Sequence, residues 1–241
     1  MDRVIYLAMA GAKAALLRQD VTAHNLANVS TNGFRAEMTA FRAVPVQGDG
    51  ASTRVFAVET TPGYNPEPGT ITQTGRSLDV AVSGNAWLAV QGRDGTEAYT
   101  RNGSLEANSE GLLVTRTGLT VLGDGGPITV PPNATVSIGG DGTVTTTLGN
   151  GKPQGLGRLK LVTSEAPLLR GEDGLFRAPN GDVPADPLAR LQSGALEASN
   201  VSAVESMVAM ISAARQFEHQ MKLLASAQER EQSAGKLLSS S

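Results

Sequence analysis

The sequence contains no cysteine among its 241 residues. This absence excludes disulfide bonds, thiolate-bound metal sites and a cysteine nucleophile. The two histidines, His24 and His219, fall in segments with helical spacing, and neither has a serine and a carboxylate in a triad arrangement. The carboxylates are scattered and lack the spacing of a calcium-binding loop. We therefore predict that the protein is not an enzyme and uses no metal, no cofactor and no small-molecule substrate.

Aromatic residues, basic blocks and long apolar runs are also scarce. Aromatics make up 4% of the chain, so the core must be built from aliphatic side chains. The formal net charge is −3, and without a basic block the chain lacks the footprint of a nucleic-acid partner. The apolar residues 4–12 are too few for a membrane-spanning helix and lack the flanking charge and cleavage site of a signal peptide. Membrane anchoring and export by a cleaved signal are both disfavoured.

The two ends of the chain carry the helical signals. Near the N-terminus, apolar or small residues recur at alternating steps of three and four, and Asn32-Gly33 then signals a turn. Near the C-terminus, Ser202 and Glu205 form a capping-box pattern that predicts a helix start, and apolar residues then repeat in sevens as in a coiled coil. The predicted stripes consist of Val4, Leu7, Gly11, Ala14 and Val21 in the first helix and Val204, Met207, Val208, Ile211, Phe217, Met221 and Leu224 in the last.

We predict that these helices pack together, antiparallel or side by side, as one discontinuous coiled-coil-like domain. A helix spanning residues 203–238 needs partners, because most helical stability comes from burying the apolar face. The alternative is an ordinary two-helix patch lying on the middle of the chain, but a small β domain is too short to cover a helix of this length.

The middle of the chain carries strand patterns cut by glycine turns. Residues 36–68, rich in proline and glycine, predict an extended connector with one strand at residues 54–59. From residue 69 to residue 194, short alternating or apolar runs predict an all-β domain of barrel or sandwich type, with Asn102-Gly103 as the strongest hairpin signal. The predicted fold class is α+β, with the N-terminal helix of the assembly domain in residues 1–35, the connector in 36–68, the β domain in 69–194 and the C-terminal helix of the assembly domain in 195–241.

Both ends resemble the signatures of the flagellar axial proteins, the rod, hook and hook-associated subunits of bacterial flagella. The N-terminal signature is carried by Asn25-Leu26-Ala27-Asn28, Thr31 and Gly33-Phe34-Arg35, with His24 where the family usually has asparagine. The C-terminal signature is carried by Ser199-Asn200-Val201, Val204, Met207-Val208, Met210-Ile211, Arg215 and Phe217-Glu218, with Ser202 and Ser206 where the family often has other polar residues. Residues 99–103 and 111–114 resemble the β domain shared by hook and rod subunits.

The resemblance implies a non-catalytic subunit that polymerises through its terminal helices into the axial drive shaft of the flagellum. Residues 1–6 and 42–48 are most similar to those of proximal-rod subunits, and a distal-rod or hook subunit is the alternative. The implied partners are other proximal- and distal-rod subunits, further copies of the chain and the flagellar type III export apparatus. The implied location is the periplasmic rod of the basal body, reached without a cleaved signal peptide.

The same resemblance adds signature residues to the predicted assembly interface: Asn25, Leu26, Asn28, Gly33, Phe34 and Asn200. A protein of a different class, a β protein with helical arms that acts on peptidoglycan or another carbohydrate, would need paired carboxylates or a zinc site in its β domain. The sequence shows neither pattern.

Overall fold

The structure is a computed structural model that describes residues 2–45, 55–149 and 151–239. Helices lie at both ends of the chain and strands lie between them, which confirms the α+β class. The helices are α1 (Asp2–Ala27) and α2 (Ala203–Ser239). The strands are β1 (Glu37–Pro45), β2 (Val55–Tyr64), β3 (Ile71–Gln73), β4 (Val80–Val82), β5 (Ala86–Gln91), β6 (Glu97–Thr100), β7 (Leu105–Ala107), β8 (Leu113–Thr115), β9 (Leu122–Gly123), β10 (Gly126–Pro127), β11 (Ala134–Ile138), β12 (Thr143–Leu148), β13 (Gln154–Arg158), β14 (Leu161–Thr163), β15 (Leu169–Arg170), β16 (Phe176–Arg177), β17 (Leu191–Ser193) and β18 (Ala195–Glu197).

The chain forms two compact units, each built from segments that are distant in sequence. The helical unit contains Met1–Asn28, Glu37–Gly63 and Val201–Ser241, and the β unit contains Val29–Ala36 and Tyr64–Asn200. These units differ from the predicted domains at both ends, because residues 29–35 and 195–200 fall in the β unit. The reason is backbone pairing: the N–H of Gly33 donates to the carbonyl of Glu197 at 2.8 Å.

The segment predicted as an extended connector is largely paired. Strands β1 and β2 hydrogen-bond to each other as a two-stranded sheet. The predicted strand at residues 54–59 corresponds to β2, although Arg54 lies outside the described residues. The proline and glycine signals in this stretch concealed the strand patterns on either side of them.

In the helical unit, α1 and α2 run antiparallel. A side chain at Gly11 would press against Gln220, and Arg18 Nη1 donates to Gln216 Oε1 at 3.4 Å, so residue numbers rise along one helix as they fall along the other. The N–H of Glu205 donates to Ser202 Oγ at 3.4 Å, and this cap confirms the predicted start of α2.

The seam between the helices consists of small residues and is out of phase with the predicted stripes. The buried positions are Ala8, Ala12, Ala15 and Thr22 on α1 and Ala213 and Ala227 on α2. On α1 they follow the predicted Leu7, Gly11, Ala14 and Val21 by one residue, which turns the buried face by about 100°. The helices pack through alanines because small side chains let two backbones approach closely, and the bulkier residues then lie outside the seam.

In the β unit, a five-stranded antiparallel sheet in the order β14-β5-β6-β16-β15 separates two apolar clusters. Alternate side chains of a strand point to opposite faces. Accordingly, Leu88 and Val90 of β5 join the larger cluster, while Trp87 and Ala89 join an aromatic cluster with Tyr99 and Phe176. Burial on both faces explains why β5 is a continuous apolar run.

The hairpin predicted at Asn102-Gly103 is wrong. Strand β6 pairs with β5 and β16, whereas β7 pairs with β8. The chain between β6 and β7 instead approaches β4, where the N–H of Val80 donates to the carbonyl of Gly103 at 2.9 Å. Glycine is required here because a Cβ at position 103 would collide with the carbonyl of Val80.

Candidate assembly surface and the terminal signature segments

The terminal helices carry most of the exposed large apolar side chains. Eleven of the seventeen such side chains in the described part of the chain lie on α1 or α2. They are Tyr6, Leu7, Met9, Leu16 and Leu17 on α1 and Val204, Met207, Val208, Ile211, Met221 and Leu223 on α2, and we call them the exposed apolar set. Clustered exposed apolar residues mark interaction surfaces in soluble proteins.

The predicted stripe residues divide between this exposed set and the margins of the seam. Leu7, Val204, Met207, Val208, Ile211 and Met221 are exposed, with Val204 at 72% and Ile211 at 54%. Gly11, Ala14, Val21, Leu26, Phe217 and Leu224 are half-buried. Val4 lies in α1, but its side chain is outside the part of the chain that the structure describes.

Asn25 and Asn28 fix the C-terminal end of α1. The side-chain amide of Asn25 donates to the carbonyl of Glu37 at 2.9 Å, and its oxygen accepts from the N–H of Glu37 at 2.8 Å. Asn28 Nδ2 donates to the carbonyl of His24 at 2.9 Å and so satisfies a carbonyl in the last turn. Both signature asparagines therefore bind backbone within the helical unit.

Three further signature residues, Gly33, Phe34 and Asn200, lie in the β unit, within the two segments that lead to the helices. Gly33 and Phe34 are buried, and Phe34 lies under the guanidinium group of Arg170, 4.3 Å from the ring centroid. The N–H of Asn200 donates to the carbonyl of Phe34 at 3.3 Å, and Asn200 Oδ1 accepts from the N–H of Ala36 at 2.7 Å. Gly33 and Phe34 are thus buried in this chain, and Asn200 is half-buried.

Three charged side chains lie beneath these segments, and we call them the ion cluster: Arg35, Arg101 and Glu197. Glu197 Oε1 pairs with Arg35 Nη2 at 2.9 Å, and Glu197 Oε2 pairs with Arg101 Nε at 2.7 Å. All three side chains are at most 2% exposed. Buried charges of this kind are tolerated only when they are paired and hydrogen-bonded.

Most of the remaining donors of the ion cluster bind backbone carbonyls. Arg101 Nη1 donates to Gly84 and Ala86 at 2.8 and 2.6 Å, and Arg101 Nη2 donates to Val82 at 2.7 Å. Arg35 Nη1 donates to the carbonyl of Glu67. Burial lowers the pKa of the Arg35 guanidinium below its usual value, and the neighbouring Glu197 carboxylate opposes that shift.

Sequence reasoning included Arg35 and Arg101 in motif matches but assigned them no role, and it missed Glu197. A usable signal was present in β18, where Ala195 and Glu197 occupy alternate, buried positions of the same strand. An acid at an inward-facing strand position requires cationic partners. The alanine seam was also missed, because heptad counting weights large apolar residues above small ones.

The described residues were compared with the patterns of a metal-binding cluster and of a membrane-spanning helix. Among them, no group of three or more histidine, cysteine, aspartate or glutamate side chains is arranged to hold a metal ion. Neither described helix is long and apolar enough to cross a membrane.

Three family matches cover the helical ends and part of the β unit. Residues 5–35 match the family described as "Flagella basal body rod protein". Residues 81–146 match "Flagellar hook protein FlgE/F/G D1 domain", and residues 192–237 match "Flagellar basal body rod FlgEFG protein C-terminal". Terminal helices, a β middle and these matches define a protein of the flagellar rod and hook class.

Comparison with individual relatives narrows this class. The chain is 48% identical to the flagellar basal-body rod protein FlgF of Salmonella typhimurium and 47% identical to that of Escherichia coli, in each case over 100% of both chains. It is 33% identical to the flagellar basal-body rod protein FlgG of Bacillus subtilis, over 95% of this chain and 96% of that protein. The chain belongs to the family of the flagellar basal-body rod protein FlgF, a family of structural rod subunits.

Proposed function

We propose that the chain is a subunit of the proximal rod and polymerises through the exposed apolar set of its terminal helices. The observation that carries this proposal is that the two faces of each helix differ in burial. The alanine face of each helix is covered by the other helix, while the faces with large apolar side chains are left exposed. Covering them removes apolar area from water at about 25 cal/mol per Å².

The alanine seam supports coiled-coil-like packing of the pair. Ala213 and Ala227 are separated by two heptads, with Gln220 midway between them and in contact with Gly11. The two apolar clusters on either face of the five-stranded sheet support a layered, sandwich-like β body. In this proposal the helices form the axial part of the rod.

The proposed partners are further copies of the chain, other proximal- and distal-rod subunits, and the flagellar type III export apparatus that delivers the chain to the periplasm. The proposed role is purely structural, with no catalysis and no cofactor. In this role Gly33, Phe34 and Asn200 pair the two chain segments that lead to the helices.

A matched pair of aspartate substitutions tests the proposal. Ile211→Asp adds a charge to an exposed residue, whereas Ala213→Asp adds one to a residue that is 1% exposed in the seam. We expect Ile211→Asp to leave the helical content and melting temperature of the purified chain unchanged, while cells that carry it build no complete rod and do not swim. Ala213→Asp should reduce helical content itself, since burying an unpaired carboxylate is costly.

The conservative Ile211→Val variant keeps an apolar surface and should swim. Normal swimming of the Ile211→Asp strain would show that this face is not buried in the rod, and the proposal would then fail.

A further inference from the structure

A cavity of about 290 Å³ lies inside the β unit, next to the ion cluster. Its lining includes the cationic side chains Arg35 and Arg101. It also includes the aromatic side chains Tyr64 and Trp87 and the aliphatic Leu168. Exposed residues, including Asn85 and Glu165, also line the cavity, so it is open to solvent. Its volume is several times the roughly 30 Å³ that one water occupies in the liquid, so it can hold a side chain.

The charges of the ion cluster do not balance, and the second acid that lines the cavity, Glu165, is exposed. The two guanidinium groups of Arg35 and Arg101 share a single buried carboxylate, that of Glu197, which leaves one positive charge in excess within the ion cluster. Arg35 Nε is also buried without a hydrogen-bond partner among the described residues. Such a donor is rare in folded proteins, and beside a solvent-open cavity it is available to water or to an incoming acceptor.

The walls of the cavity define the chemistry of the group that it can receive. The cationic side calls for an acceptor with negative charge, and a carboxylate matches a guanidinium best. The aromatic side is formed by Trp87 and Tyr64, whose ring centroids lie 5.8 Å apart, and it suits an aliphatic stem. A carboxylate on a short methylene chain is the side chain of aspartate or glutamate.

We propose that this cavity receives an aspartate or glutamate side chain from an adjoining subunit of the rod. The inference rests on the assembly proposed above, which brings other subunits against this one. Charge complementarity favours a subunit as the source, because a chain of this composition carries 23 acidic against 20 basic side chains and has a net charge of −3. The cavity would then add a polar, orientation-specific contact to the non-directional apolar contacts of the helices.

An isosteric substitution at the cavity tests this. Asn85→Asp keeps the shape of an exposed lining residue and supplies a carboxylate from within the same chain, so it should repel the incoming acid. We expect a purified protein that melts at or above the wild-type temperature, and at least a tenfold loss of swimming or of subunits incorporated into basal bodies. The control is Gln154→Glu, an equal change of charge at an exposed residue of β13 outside the cavity, and it should swim normally.

Crosslinking identifies the source of the carboxylate. A photoreactive benzoylphenylalanine at position 85 should crosslink in assembled basal bodies to another rod subunit, at a peptide that contains aspartate or glutamate. The other possible source is a small free anion, which sodium succinate and sodium acetate probe in thermal melts at constant ionic strength.

Two outcomes overturn the proposal: normal swimming of the Asn85→Asp strain, or saturable stabilisation by succinate or acetate without a crosslink between subunits. The experiments distinguish rejection of the cavity contact from rejection of assembly through the helices. A swimming Asn85→Asp strain beside a non-swimming Ile211→Asp strain rejects the cavity contact alone.

Discussion

Arg101 and Glu197 are 96 residues apart in the sequence, yet Arg101 Nε donates to Glu197 Oε2 at 2.7 Å in the interior of the β unit. Glu197 lies at the end of β18, three residues before the signature Asn200. The other oxygen of the same carboxylate binds Arg35, which follows Gly33 and Phe34. One buried acid thus joins the segments that lead to both terminal helices.

Removal of the Glu197 charge should strongly destabilise the β unit. Glu197→Gln leaves two buried guanidinium groups without their carboxylate, and loss of one partner from a buried ion pair costs about 3–5 kcal/mol. Denaturant unfolding of the purified chain measures this loss. The control is Glu106→Gln in β7, where the side chain is exposed and the change should stay within about 0.5 kcal/mol. Equal unfolding midpoints for the two variants would contradict the assigned role of the ion cluster.

Gly33 should tolerate no side chain. Its φ is +69°, and a Cβ there would collide with the backbone of Arg101. Gly118→Ala is the matched comparison, because Gly118 has a φ of +83° but open space around it. Gly118→Ala should cost about 1–2 kcal/mol from the left-handed conformation alone. Gly33→Ala should cost clearly more in the same melting experiment, and the difference between the two variants isolates the collision.

The β unit should require its flanking segments in order to fold. A fragment of residues 29–200 contains Phe34, Arg35 and Glu197, whereas a fragment of residues 69–194, the domain predicted from sequence, lacks all three. We expect the longer fragment to unfold cooperatively. The shorter one should be destabilised, since Arg101 keeps its buried position without a carboxylate. Thermal melts of the two fragments decide this, and equal stability would show that the sequence-predicted boundaries are sufficient.

Stability should fall in alkaline solution through Tyr99. Burial raises the pKa of its phenol to about 12, and the hydroxyl also donates to Glu97 Oε1 at 3.0 Å and accepts from the N–H of Val183 at 2.7 Å. The unfolded chain loses this proton near pH 10. Between about pH 10 and about pH 12 the folded state therefore holds more protons than the unfolded state, and stability decreases as pH rises.

Comparison of the wild type with Tyr99→Phe isolates this contribution, because the other titrating groups are common to both. The stability difference between the two proteins should be constant below about pH 10 and change above it. A difference that stays constant across the whole range would contradict the shifted pKa.

The sequence predicted the helices well because their periodicity is strong and their ends carry local signals, such as the Ser202 cap and the Asn32-Gly33 turn. It did not predict which face of each helix is buried. A search for large apolar residues selects Leu7, whereas close packing of two helices favours the small Ala8, which is the buried residue. The pairing of Gly103 with Val80 could not be predicted from the local Asn102-Gly103 pattern, because the two residues are distant in the sequence. Glu197 required knowledge of which strand positions face inward.

The alanine seam has a thermodynamic consequence for how the protein responds to concentration. Each buried methyl group contributes about 0.8 kcal/mol, so the alanines of the seam hold α1 against α2 less strongly than large apolar side chains would. The larger apolar side chains contribute theirs only when another molecule covers them. In the proposed assembly, ordering of the helix pair and growth of the polymer form one linked equilibrium governed by mass action. The helices should then become more stable as the local concentration of subunits rises.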